Sequence, residues 1–175
     1  SRLDIDVTFN HQLWFAATGS MLLPSSDERL GHRIGRFLDA LPDNLSMYPS
    51  GAIVHGIRRV STSRGTRSLR QMARGLLRLG RSHATGEQRY RKAIGYQAFN
   101  LYAFAMLRCG FQEHPFWQSA GFLSALRFIG TSEFAQGLED NEFGYPYNPP
   151  GIEVAYALYV FSDESKRDVY DEMSV

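Results

Sequence analysis

The chain has 175 residues, 43% of them hydrophobic, and a formal net charge of +1, enough for one core and for no more than one ordinary domain. Its longest apolar runs, such as 101–107, fall far short of the roughly 20 residues that a membrane-spanning helix needs, and no signal or anchor pattern opens it, so a soluble, cytoplasmic protein is expected. The single cysteine, Cys109, excludes an internal disulfide and a cysteine metal cluster, and its apolar helical setting predicts a buried small hydrophobe.

The small net charge conceals a segregation. Residues 1–57 hold four basic against six acidic side chains, 58–92 hold eleven against one, and 93–175 hold four against eleven. The middle fifth is a basic block.

In chain order, 1–8 alternates apolar and polar residues, which suits a short extended lead-in. From Asn10, a natural N-cap, the positions of Leu13, Trp14, Ala17 and Met21 have helical spacing. Pro24 ends that helix, and Ser25 with Glu28 makes a capping-box pattern for a second one, carrying Leu30, Ile34, Phe37, Leu38 and Leu41. Pro42 is expected to stop it. Turn chemistry at 49–51 followed by a β-prone run predicts an extended excursion over 50–57. An amphipathic helix is expected over 68–79, with Arg67, Arg70, Arg74, Arg78 and Arg81 on one face.

Residues 86–92 are polar. The stretch 94–111 is the most apolar long segment and predicts a helix hydrophobic nearly all round, hence internal. Pro115 restarts the chain into another apolar helix over 116–129. A long loop follows, rich in aromatic and polar groups and including Asn141 to Glu153, and its prolines and glycine fix the start of a helix over 152–161. A last helix is expected over 165–173.

Three segments share a plan in which a polar or aromatic preamble enters a buried helix: Phe9 to Ala16, Tyr96 to Ala105, and Asn148 to Ala157. Alternating buried and half-buried helices predict an all-α array of antiparallel helical hairpins. The segments Phe9-Asn-His-Gln-Leu-Trp-Phe-Ala-Ala17, Phe99-Asn-Leu-Tyr-Ala-Phe-Ala105 and Tyr147-Asn-Pro-Pro-Gly-Ile-Glu153 resemble stretches of the six-hairpin (α/α) toroid glycosidase-like proteins, including those encoded in glycosylation gene clusters. The resemblance implies inner helices forming the core and loops at their ends lining a carbohydrate cleft. A complete toroid needs roughly twice this length, so residues 1–175 are expected to form a single helical domain shaped as an arc or half ring. Such a domain is a fragment or reduced form of a larger toroid, or a part of a homo-oligomer.

Sugar sites pair aromatic faces, which cover ring C–H surface, with planar polar groups that satisfy hydroxyls. Candidate platforms are Trp14, Tyr96, Tyr102, Tyr145 and Tyr147, and candidate hydroxyl readers are Asn10, His11, Gln12, Gln97, Asn100 and Asn148. His11 and His55 are the histidines suited to proton transfer near neutrality. Glycoside hydrolysis commonly needs two carboxyls about 5–10 Å apart. Asp6, ahead of the Asn10 helix, and Glu153, in the first turn of another where the helix dipole should hold it ionised, form the candidate catalytic pair.

Neither HxxxH, HExxH nor a phosphate-loop pattern occurs, so no metal and no cofactor is implied. The function expected is carbohydrate binding or processing of glycoside hydrolase or lyase type, with acidic sugars reconciling the basic block. The alternative is a non-enzymatic helical scaffold that binds a polyanion or protein through the Arg face.

Overall fold

The computed structural model describes residues 8–23, 28–56 and 85–162. The extended lead-in before Thr8, Asp6, the Arg67 to Arg81 face and the helix expected over 165–173 lie outside the described residues. Within them the protein is all-α, as the patterning predicts. There are seven α-helices: α1 (Phe9–Ser20), α2 (Glu28–Asn44), α3 (Gly86–Gly95), α4 (Gln97–Gly110), α5 (Ala120–Phe128), α6 (Ser132–Leu138) and α7 (Pro150–Phe161), with a 3-10 turn at Pro115–Gln118.

Helix α4 is the centre of the packing, flanked by α1 and α7. Its pairing with α7 steps forward along both chains: Tyr96 meets Tyr147 at 6.0 Å, Tyr102 meets Tyr156 at 4.9 Å, and the Arg108 guanidinium lies 5.4 Å from the Phe161 ring. Against α1, Trp14 stacks on Phe99 at 4.5 Å, while a Cβ placed on Gly110 would lie 3.5 Å from Ser20. The three helices therefore run parallel, and their N-termini share one end of the molecule.

Helices α2 and α5 run the other way. After α2 the chain returns to the start of α1, where Thr8 and Gly56 form an antiparallel bridge and the Phe9 N–H donates to the His55 carbonyl at 2.9 Å. Helix α5 returns from the C-terminal end of α4, where the Trp117 indole donates to the Phe111 carbonyl, to its N-terminal end, where Gln97 reaches the Ala125 carbonyl. Between these layers Phe104, Phe116, Trp117, Phe122, Leu13 and Leu38 are fully or almost fully buried. Full burial of each such side chain is worth about 2 kcal/mol.

Local expectations are corrected in six places. Helix α1 begins at Phe9 after Thr8, so Asn10 lies inside its first turn and is not the cap; the bond from Phe9 to His55 supplies from across the chain what a cap would supply locally. Pro42 lies within α2 and does not end it, because the Leu45 N–H bond to the Leu41 carbonyl and the Asn44 amide bond to the Ala40 carbonyl carry the last turn past it. The apolar segment 94–111 is broken at Tyr96 into α3 and α4. The polar run before it is helical too, started by a capping box between Thr85 and Gln88. The long loop contains α6, capped by the Thr131 hydroxyl. Cys109 is exposed, its thiol 3.4 Å from the Ala105 carbonyl and 3.7 Å from the Tyr156 hydroxyl.

The excursion over 45–56 is extended as expected, with a Met47 to Ile53 bridge closed by a tight turn. Gly51 has φ of 103°, and a Cβ there would stand 2.5 Å from the Ser124 carbonyl oxygen. Only glycine fits that crossing.

Candidate functional site

The common end of α1, α4 and α7 frames an open cavity of about 550 Å³. Thr8, Asn10, His11 and Trp14 contribute from the start of α1, and His55 from the extended excursion. Lys92, Tyr96 and Phe99 come from the α3–α4 joint, and Tyr147 with Asn148 from the loop that enters α7. Three helix entrances far apart in sequence thus meet on one cavity. Of the candidate residues, Asn10, His11, Trp14, His55, Tyr96, Tyr147 and Asn148 line it.

The joint at Tyr96 positions the aromatic wall. Gly95 closes α3 where a Cβ would stand 2.5 Å from the Phe143 Cβ, so glycine lets the loop from Asn141 to Asn148 lie against the joint. Asn148 fastens that contact by donating its amide to the Phe143 carbonyl at 2.7 Å and to the Gly95 carbonyl at 3.4 Å. Asn141 adds bonds to the Arg91 and Gly137 carbonyls. Tyr96 then packs edge-on to Phe99 and Tyr147, with the His55 ring 4.7 Å away. Burial and the neighbouring Tyr147 hydroxyl push Tyr96 up to about 12, so its phenol stays protonated.

Among the described residues Lys92 is the charged one on the wall, its ammonium 5.7 Å from the Tyr96 ring centre and 5.3 Å from that of Phe143. Two ring faces hold a cation there without neutralising it. Among the described residues no carboxylate lines the cavity.

The remaining candidates lie elsewhere. Gln97 is fully buried and ties the fold together: it accepts from the Ile53 N–H at 2.9 Å and donates to the Ala125 and Gly51 carbonyls. Its role is structural, because every bond it makes joins the excursion and α5 to α4. Tyr145 is exposed and its hydroxyl accepts from the Gly151 N–H. Gln12 is half-buried in α1 and stands off the cavity. Asn100 and Glu153 are buried in the first turns of α4 and α7 and are not among the lining residues. Thr8, Lys92 and Phe99 were not singled out in the sequence. Phe99 sits two residues after Gln97 in a motif that was recognised, but Lys92 carries no local signal, since it belongs to the basic block.

Buried polar atoms without a hydrogen-bond partner gather at this end: Asn10 Oδ1, Trp14 Nε1, both amide atoms of Asn100 and Glu153 Oε2. Such atoms are rare in folded proteins and cost roughly 1–3 kcal/mol each unless something meets them. Glu153 is not held ionised by the helix dipole, as the sequence suggests. Burial pushes it up to about 7, because no cation or donor compensates the desolvated carboxylate.

Fold and cavity define, among the described residues, an all-α protein with an aromatic and polar cavity, Lys92 on its wall, at the shared N-terminal end of three parallel helices. No family model matches the chain, and no solved structure matches it. It is similar to archaeal glycosylation protein Q of Haloferax volcanii, at 37% identity over 173 residues, which cover 95% of this chain and 47% of that protein. The chain thus spans about half the length of the curated relative it matches.

Proposed function

We propose that the chain is a carbohydrate-binding half of a glycosidase-like (α/α) toroid that serves in glycosylation, and that its cavity takes an acidic monosaccharide unit. The carrying observation is the meeting of the Phe9–Asn10, Tyr96–Gln97 and Tyr147–Asn148 entrances at one cavity of about 550 Å³, a size suited to a small ligand. Trp14, Phe99 and Tyr96 supply ring faces for sugar C–H surface, and Asn10 and Trp14 hold polar atoms in want of partners. Lys92 suits the carboxylate of a uronic acid. The name of the Haloferax relative supports a role in glycosylation.

The test is a calorimetric or NMR titration with glucuronic acid and with glucose. Glucuronic acid should bind in the millimolar range or tighter, Tyr147→Ala should weaken both sugars about tenfold, and Lys92→Met should weaken only glucuronic acid, by about fivefold to tenfold. Absence of binding by either sugar overturns the carbohydrate assignment. Equal loss of both sugars in Lys92→Met overturns the acidic one.

A further inference from the structure

Asn10 and Trp14 stand one turn apart on the same side of α1, which places their side chains beside each other. Both line the cavity. Asn10 Oδ1 and Trp14 Nε1 are buried, they do not bond each other, and neither has a hydrogen-bond partner among the described residues. The other indole differs, since Trp117 donates its N–H to the Phe111 carbonyl at 2.7 Å. Nor does the start of α1 occupy Asn10 as a cap, because the helix begins at Phe9, whose N–H donates to the His55 carbonyl.

The two unmet atoms have opposite polarity. An amide oxygen accepts and an indole N–H donates, so together they fit a group that does both at one atom. A hydroxyl does: its oxygen accepts from the indole while its proton goes to the amide oxygen. An ether or carboxylate oxygen only accepts and an ammonium only donates, so each would leave one of the two atoms buried and unpaired. The donor is oriented before a ligand arrives, because Trp14 stacks on Phe99 at 4.5 Å and on Tyr102 at 5.8 Å, which holds the plane of the indole. The acceptor adapts, because the terminal amide torsion of Asn is broad and Oδ1 can turn to a group entering the cavity.

We infer that Asn10 and Trp14 read one hydroxyl of the bound sugar and make the cavity selective for it. The inference rests on the carbohydrate reading of the same site and assigns its two walls different tasks. Lys92, at the α3–α4 joint, takes the charged group, and the α1 wall takes a ring hydroxyl. Selectivity of this kind is strong, because a site built around a hydroxyl rejects the analogue that lacks it: two buried polar atoms are then left without a partner.

The test is proton–nitrogen NMR of the chain titrated with glucose and with the singly deoxygenated ring analogues of glucose. The Trp14 indole signal, assigned by its loss in Trp14→Phe, should move as glucose saturates the cavity, while the Trp117 signal, whose N–H is already bonded within the fold, stays in place. One analogue should bind about tenfold more weakly than glucose and leave the Trp14 signal where it was. Trp14→Phe keeps an aromatic ring without the N–H, and Asn10→Leu keeps the approximate volume without the oxygen. Each should weaken glucose about fivefold and leave the affinity for that analogue within about twofold of wild type. A Trp14 signal that stays in place while glucose binds overturns the inference, as does equal affinity for glucose and every analogue, or an analogue that loses as much as glucose does in both variants. If no sugar binds, the carbohydrate assignment falls and this inference with it; sugar binding with a silent Trp14 signal overturns this inference alone.

Discussion

Glu153→Gln should flatten the pH dependence of stability. Glu153 is 5% exposed, has no partner for Oε2, and rises from an ordinary carboxyl value of 4.5 to about 7 in the fold. The folded state therefore binds a proton that the unfolded state releases between pH 4.5 and 7. Stability from this residue is complete below pH 4.5 and falls as pH rises through 7. At 1.36 kcal/mol per pH unit the loss by pH 8 is about 3 kcal/mol. Glutamine has nearly the same shape and never ionises, so its variant escapes that loss and retains about 1 kcal/mol of cost for its buried amide. Urea unfolding followed by tryptophan fluorescence at pH 5, 6, 7 and 8 measures both. The wild-type midpoint should fall across that series relative to the variant, and the variant should be the more stable by about 2 kcal/mol at pH 8. Parallel curves for the two proteins would refute the assignment of an unpaired, buried carboxyl.

Gln97→Ala strips the Ile53 N–H and the Ala125 carbonyl of their buried partner, and should cost about 2–4 kcal/mol in urea unfolding. Gly95→Ala sets a Cβ against Phe143, whose Cβ is 2.5 Å from that position. The loop from Asn141 to Asn148 must move, so proton NMR shifts of Tyr96 and Tyr147 should change and sugar binding should weaken at least tenfold, whereas a silent spectrum would remove the loop from the cavity.

Much of the helical layout follows from local chemistry. The apolar spacing of Leu13 and Ala17 and the Pro149–Pro150 start of α7 act within a turn or two of chain, and local patterns announce them; the Thr131 and Ser119 caps are as local, but that stretch reads as loop and as the body of a single apolar helix. The failures have a common cause. Asn10 looked like a cap because its own neighbourhood offered no other, but His55 satisfies the helix start from 46 residues away. Pro42 looked like a stop because the bonds that carry α2 past it are not visible as pattern. The break at Tyr96 is imposed by Phe143 and Asn148, remote loop residues that pack where only Gly95 leaves room.

That the protein is helical, that 94–111 is internal in character and that three aromatic and polar helix entrances exist all follow from propensity and periodicity, which are short-range properties. That these entrances share a cavity is a matter of packing, since it depends on α1, α4 and α7 running parallel. Packing also separated residues that look alike in the chain: Gln97 spends its amide on the backbone of the excursion and α5, while Asn10 on the cavity wall keeps an unmet oxygen. The charge state of Glu153 reversed for the same reason, because desolvation depends on what surrounds a carboxyl in space and the helix start beside it in sequence does not offset that cost.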